Sequence, residues 1–306
     1  MITYHYSVLK EEVLENLNIK EDGKYIDATV GYAGHSKEIL KRIKSGYLFA
    51  FDEDSNAVKY STEELSKISD NFKVFKSNFV NMKEILGDTK VDGILFDLGF
   101  SSPQIDDEQR GFSFMNDGPL DMRMDQESTK TASDIVNNYK EEELSDIFYR
   151  YGEEKLSKAI AKKIVEVRKN KKIERTLELV EIIKSAVGAN YFYKSHPERQ
   201  IFQAIRIELN MELDVLEKVL PDAINLLNKG GRICVITFHS LEDKIVKGIF
   251  KKYSEVDSLV RGLPIIPDEY KPLIKLVNNK PILAKEKELK ENTRSHSAKL
   301  RAVERI

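Results

Sequence analysis

Tryptophan is absent from the 306 residues, cysteine occurs once and proline eight times. A lone thiol excludes disulfides and any zinc site built on cysteines. Cys234 sits inside the apolar run 233–238 and reads as a small buried hydrophobe. No stretch approaches the roughly 18 consecutive apolar residues of a membrane helix, so no membrane partner is expected. The opening MITYHYSVLKEE lacks the basic-then-apolar layout of a signal peptide, which makes the cytoplasm the expected location. The five histidines, His5, His35, His196, His239 and His296, lie far apart without ligand spacing, so no metal is expected. His5 reads as a surface or packing residue. A formal charge of −2 gives no global sign of nucleic-acid binding. No internal repeat is present.

What remains is 41% hydrophobic and 33% charged, ample for one large domain or two moderate ones. The informative stretch is 24–40, KYIDATVGYAGHSKEIL. A β-branched and aromatic run over 24–28 meets a turn holding Gly31 and Gly34, and Ser36 then opens a helical periodicity through Ile39, Leu40 and Ile43. Thr29, Gly31 and Gly34 keep the spacing of the dinucleotide fingerprint, with threonine at its first glycine. That threonine argues against a pyrophosphate-binding dehydrogenase loop. Asp52, 18 residues beyond Gly34, closes the apolar run 47–51, where a nucleotide site needs a carboxylate for ribose hydroxyls.

The β/α alternation continues on both sides. Residues 7–17 predict a helix capped by Ser7, and 55–68 another. A short strand over 72–75 ends before Phe79, which suits either the core or stacking on an adenine. VDGILFD, 91–97, is a fourth strand, and Asp97 at its carboxyl end precedes a Gly-Phe-Ser-Ser-Pro turn, where open α/β sheets bind ligands. A cap for that turn is the plainer role.

From Ile105 the strand pattern stops for about a hundred residues of helical periodicity. Charge segregates there: residues 105–149 hold 12 acidic against 4 basic residues, and 150–206 hold 14 basic against 7 acidic. Lys169, Lys171, Lys172 and Arg175, with Tyr191, Phe192, Tyr193, Lys194, His196 and Arg199, could track a phosphate backbone and stack bases; a solvated helix face is the alternative. Helix is expected again over 198–227, with Pro221 starting a second piece and 228–231 ending it. A fifth strand from Arg232 closes on His239, either hydrogen-bonded to a neighbouring loop or catalytic. Two further strands are expected in 274–284 and 299–306, without a helix of comparable strength between them. Residues 271–306 form a second basic zone, 10 basic against 4 acidic.

HYSVLKEEVLENL, YIDATVGYAGHS, FDLGFSSPQ with RGFSF and GPLDMRMD, HPERQIFQAIRIELNMEL, GGRICVITFHSLED and NTRSHSAKLRAVER together resemble one family. It is the bacterial small-subunit rRNA (cytosine-N4) methyltransferases, the RsmH or MraW family, and the likeness covers nearly the whole chain. The resemblance implies an α/β class I methyltransferase: a Rossmann-like, mostly parallel sheet with an antiparallel end strand. It implies a methyltransferase domain over 1–110 and 210–306, with a helical RNA-recognition domain inserted at 111–209. The cofactor would be S-adenosyl-L-methionine (SAM), and the substrate a cytosine in the decoding region of 16S rRNA within the small ribosomal subunit.

Carried over by position, Ala33, Gly34, His35, Asp52, Phe79, Asp97 and Gln104 would contact the cofactor. Ala33 stands where many relatives have glycine, and small size is the expected requirement. Asp97, Phe100 and Ser101 fall where amino methyltransferases carry an Asp/Asn/Ser-Pro-Pro-aromatic loop, so a flipped cytosine is expected there, although Pro-Pro is missing and Asp97 is claimed by the cofactor too. Three alternatives remain open: an amino methyltransferase for another nucleic acid, an NAD-dependent dehydrogenase, and a noncatalytic RNA-binding protein. The dehydrogenase fits LGFSSPQ and the two-strand ending poorly, and an RNA-binding protein has no need of carboxylates at strand ends.

Overall fold

The computed structural model describes residues 7–260 and 262–306; His5 lies outside the described residues. The chain divides into two compact units, one holding everything up to Gly99 and then Leu213–Ile306, the other Phe100–Glu212. No helix among the described residues is long and apolar enough to cross a membrane.

The first unit begins α1 (Lys10–Leu17), β1 (Lys24–Asp27), α2 (Gly34–Arg42), β2 (Tyr47–Asp52), α3 (Ser55–Ser66), β3 (Phe72–Lys76), α4 (Met82–Leu86) and β4 (Val91–Asp97). The second unit supplies α5 (Ser102–Asp106), α6 (Ala132–Asn138), α7 (Glu141–Arg150), α8 (Ser157–Arg168), α9 (Thr176–Val187), α10 (Ala189–Ser195) and α11 (Pro197–Asn210). The chain returns through α12 (Glu212–Leu226), β5 (Leu227–Thr237), α13 (Ser240–Ser254), β6 (Ile274–Leu276), α14 (Glu286–Glu291) and β7 (Lys299–Arg305).

The described strands form one sheet in the order β3-β2-β1-β4-β5-β7-β6. Neighbours from β3 to β5 run parallel, and β7 is antiparallel to both β5 and β6. Successive side chains of a strand point to opposite faces, and both faces here are covered. Ile26, Ile94, Phe96 and Val235 pack with Leu216, Val219, Leu220 and Phe250 from α12 and α13. Tyr25, Leu95, Cys234 and Ile236 pack with Val13, Leu17, Ile39 and Leu40 from α1 and α2. Burial on both sides explains why these strands read as continuous apolar runs. Tyr25 is fully buried because position 93 is glycine: a Cβ there would stand 2.7 Å from the ring. Cys234 is also fully buried, its thiol pushed up to about 12 by burial, so it packs and does not react.

The family's last two motifs meet in an ion pair. Arg301 on β7 donates to both carboxylate oxygens of Asp243 on α13, at 2.7 and 3.1 Å, with each side chain at most 15% exposed. Two facing donors and two acceptors fix orientation as well as charge, so α13 is locked over the antiparallel end of the sheet.

Four local expectations are corrected. Ser7 does not cap α1; Leu9 precedes it in a left-handed conformation, its N–H held by Glu288 at 2.8 Å. The long helix breaks at Met211 (φ 52°), and α12 runs through Pro221, held there by a buried apolar stripe on either side. β5 starts at Leu227, with an irregularity opposite 91–93 that absorbs the glycines. Between the C-terminal strands, β6 covers only Ile274–Leu276 and a short helix, α14, intervenes.

The second unit has its own core, with Ile135, Phe148, Ile160, Ile164, Leu179, Ile183, Ile201 and Ile205 fully buried. RGFSF and GPLDMRMD form an irregular but tied-down loop. Arg110 donates to the carbonyls of Arg123 and Met124, and Asn210 bonds both the Met124 N–H and the Met122 carbonyl. Gly118 passes so close to Glu108 that a Cβ would meet its carbonyl oxygen at 1.9 Å.

Candidate active site

Three parallel strands, β1, β2 and β4, each end on an aspartate, so Asp27, Asp52 and Asp97 gather at the carboxyl edge of the sheet. Asp52 and Asp97 were expected there. Asp27 was missed, although the signal existed: it closes its apolar run as the other two close theirs.

Asp27 organises the loop from behind. It is buried, accepts from the Ser36 hydroxyl at 2.6 Å and from the Thr29 N–H at 3.2 Å, and burial pushes its pKa above the ordinary carboxylate value. Ser36 therefore does not open α2, which starts two residues earlier at Gly34; its hydroxyl ties the helix to β1. Thr29 has a second task, its hydroxyl accepting the backbone N–H of Asp97 at 2.8 Å. Glycine at this position would leave that N–H without its partner.

Asp52 holds the loop from the front. One oxygen accepts the Gly31 N–H and the other the Asp54 N–H, both at 2.9 Å. Gly31 has φ 47°, a region open to glycine. Burial raises the Asp52 pKa to about 6 against the pull of those two N–H groups. Ala33 is fully buried and also left-handed, φ 62°. The expectation that only small size matters at position 33 is thus incomplete, since conformation matters too. A left-handed backbone costs a non-glycine residue about 1–2 kcal/mol, part of which glycine's extra chain entropy returns. Ala33→Gly is expected to stabilise the protein by about 0.5–1 kcal/mol, read as a raised urea midpoint.

Gly34 and His35 begin α2. A Cβ on Gly34 would lie 2.0 Å from the Ser7 hydroxyl oxygen, so the glycine admits the N-terminal segment. His35 is 5% exposed, and neither ring nitrogen makes a hydrogen bond. Its Nε2 stands 3.6 Å from Asp97 Oδ2. Burial disfavours the imidazolium, but Asp97 and then Asp27 outweigh it and hold the pKa above the usual histidine value. Asp97 Oδ1 is buried and has no hydrogen-bond donor. Phe79, just past β3, is half-buried with its ring edge-on to Phe96 at 5.5 Å.

The other expected residues belong to the second unit. Ser101 precedes α5 and its N–H donates to Gln104 Oε1 at 2.9 Å, which leaves Gln104 buried. Phe100 packs on Phe112 and is faced by the Arg206 guanidinium at 4.6 Å. Arg206 was not anticipated; it pairs with both oxygens of Glu212 at 2.8 and 3.0 Å. Lys169, Lys171, Lys172 and Arg175 share the exposed connection from α8 to α9, where Lys171 already pairs with Glu178 and Arg175 with Asp117. Lys194 and Arg199 are exposed on α10 and α11, Arg199 lying over the Phe114 ring. His239 caps α13, with Glu242 accepting from the Phe238 N–H in return.

A buried acceptor without a donor, beside a glycine-bearing loop braced by two carboxylates, suits a polar ligand carrying hydroxyl and amino groups, and SAM carries both. The MraW methylase family matches residues 2–306. A protein of Exiguobacterium sibiricum named "Ribosomal RNA small subunit methyltransferase H" is 51% identical over 306 residues, covering 99% of this chain and 98% of that protein. Among solved structures, an rRNA methylase from Streptococcus thermophilus matches 100% of this chain and 99% of its own with 11% identity and a TM-score of 0.42. A Streptococcus mutans protein solved in complex with SAH matches 99% and 100% with 11% identity and a TM-score of 0.42. The chain belongs to the MraW methylase family and is a SAM-dependent methyltransferase with a Rossmann-like sheet.

Proposed function

We propose that this enzyme places a methyl group on N4 of a cytosine in the decoding region of 16S rRNA, within the small ribosomal subunit and in the cytoplasm. The observation that carries this reading is Asp97: a carboxylate fixed at the end of β4, with one buried oxygen awaiting a donor. An exocyclic amine brings that donor. Its lone pair is delocalised into the ring, so an acceptor on its hydrogens helps it become a nucleophile and then lose a proton. The family membership and the name of the 51% identical relative support rRNA as the substrate.

When bound, SAM supplies an electrophilic methyl group. In the proposed assignment Ala33, Gly34, His35, Asp52, Phe79, Asp97 and Gln104 form its site, with Asp52 addressing the ribose hydroxyls. Asp97, Phe100 and Ser101 receive the flipped cytosine.

The helical second unit is proposed to hold the RNA through Lys169, Lys171, Lys172, Arg175, Lys194 and Arg199. Lys171 and Arg175 already carry carboxylate partners, so the sites are unequal. Reversing Lys169 and Lys194 together to glutamate is expected to weaken binding of small subunits about tenfold or more at 0.1 M salt and to flatten the salt dependence. Lys171→Glu alone should do less. A filter-binding series across salt concentrations reads both.

Transfer of labelled methyl to small subunits lacking the modification, followed by nucleoside analysis, tests the proposal. N4-methylcytidine supports it; a labelled base of any other kind assigns the same site to a different nucleic-acid target.

A further inference from the structure

We infer that His35 is a positioning residue, whose imidazolium engages Asp97 Oδ2 so that Oδ1 is presented to the amino group being methylated. The inference deepens the function proposed above and rests on it. It comes from four features of the first unit.

Asp97 has little freedom. Its backbone is paired in β4, and its N–H is held by the Thr29 hydroxyl at 2.8 Å, so only side-chain rotation is left to aim the carboxylate. The two oxygens are unlike: Oδ2 faces His35 Nε2 at 3.6 Å, and Oδ1 is buried without a donor.

His35 also has a fixed place, as the second residue of α2, 5% exposed, with the backbone at Val8 beside the ring. Beyond that backbone and Asp97, its ring nitrogens have no partner. A buried imidazole left without hydrogen bonds is costly, and a role toward Asp97 accounts for it.

The charges around the ring agree. The titratable groups facing it are Asp97 from β4, Asp27 from β1 and Glu288 from α14, all acidic. One cation among three carboxylates steadies the cluster, whereas a neutral ring would leave Asp97 and Asp27 to repel each other.

The proton step balances. Once the amino nitrogen carries the new methyl group it is cationic with two hydrogens. One N–H bond breaks, its electron pair stays on nitrogen, and the proton passes to Asp97 Oδ1, which later returns it to water. His35 keeps its own proton throughout, its Nε2 facing Asp97 Oδ2.

The test compares wild type with His35→Gln by single-turnover methylation of unmodified small subunits between pH 6.5 and 9, alongside SAM binding by calorimetry. In the variant, the rate at pH 7 and saturating SAM is expected to fall about 10- to 100-fold. The wild-type rate should decline as pH rises through the His35 titration, and the variant should lack that decline. A rate within twofold of wild type overturns the inference. So does a rate that raising the SAM concentration restores in full, which would leave His35 a cofactor contact and nothing more.

A second measurement needs neither turnover nor a folded His35 variant. The His35 ring, followed by NMR in ring-labelled protein, should titrate about one pH unit lower in Asp97→Asn than in wild type. An unmoved titration overturns the inference. If the wild-type product is not N4-methylcytidine while this coupling is present, the function reading fails and the His35–Asp97 pairing stands.

Discussion

Asp97→Asn is expected to lower the rate of methyl transfer about a thousandfold, while the protein melts no lower than wild type. The amide has the size and shape of the carboxylate, so β4 and the Thr29 contact persist. What disappears is the charge proposed to take the amino proton, and general-base contributions of this kind run to about 10²–10⁴. The amide weakens the contact with His35 but also relieves an anion whose Oδ1 is buried without a donor, and the two effects on stability offset. Single-turnover kinetics on unmodified small subunits, with SAM binding measured separately, check both halves. A rate within threefold of wild type with unchanged SAM affinity would remove Asp97 from proton transfer.

Asp52→Asn should act on binding. The carboxylate accepts from Gly31 and Asp54 at once. An amide can accept from one and must point its own NH2 at the other, which leaves a loop N–H without a partner. Hydrogen bonds to a charged acceptor are worth about 1.5–3 kcal/mol, so the SAM Kd should rise about 10- to 100-fold, read by calorimetry.

The same residue gives a pH signature. Its folded pKa of about 6 lies above the unfolded carboxylate value. The folded state therefore keeps a proton that the unfolded chain has already lost between about pH 4 and 6. Asp52 contributes most to stability below the unfolded pKa, and that contribution is lost as pH rises through the folded one. The change is about 3 kcal/mol, at roughly 1.4 kcal/mol per unit. Urea unfolding at pH 4, 5, 6 and 7 should show this decline in wild type and a flatter profile in Asp52→Asn.

Much of the candidate site could be read from the chain because of where polar residues fall. Asp52 and Asp97 each end an apolar run, and in a parallel sheet the end of a strand is the edge that faces a ligand. Gly31 and Gly34 mark a turn by their lack of a Cβ. The pairings were another matter. That Ser36 reaches back to Asp27 depends on how α2 packs on β1, and that Thr29 holds the Asp97 N–H depends on β1 lying beside β4. Sequence spacing carries no trace of that adjacency.

The left-handed turn at Ala33 was hidden for a related reason, since alanine betrays no backbone preference of this kind. Pro221 misled because its helix-breaking tendency is local, while the apolar stripe from Leu216 to Ile224 that keeps α12 intact is a property of the assembled core. Met211, where the helix does break, carries no turn signal at all. The helices of the second unit were visible from periodicity, yet the loop containing GPLDMRMD was not, because it is built from side-chain contacts to backbone and has no period to detect.

The placement of β7 bears on how the protein is made. This strand, Lys299–Arg305, lies between β5 and β6, and β6 has no other partner among the described strands. While the chain is being synthesised, β1 to β5 can assemble in turn, but one edge of β5 stays open and β6 has nothing to pair with until the final strand emerges. Its pairing with β5 joins positions more than sixty residues apart, a slow kind of closure. For that interval the nascent chain exposes the apolar edge of its central sheet, the period in which a chaperone would be needed most.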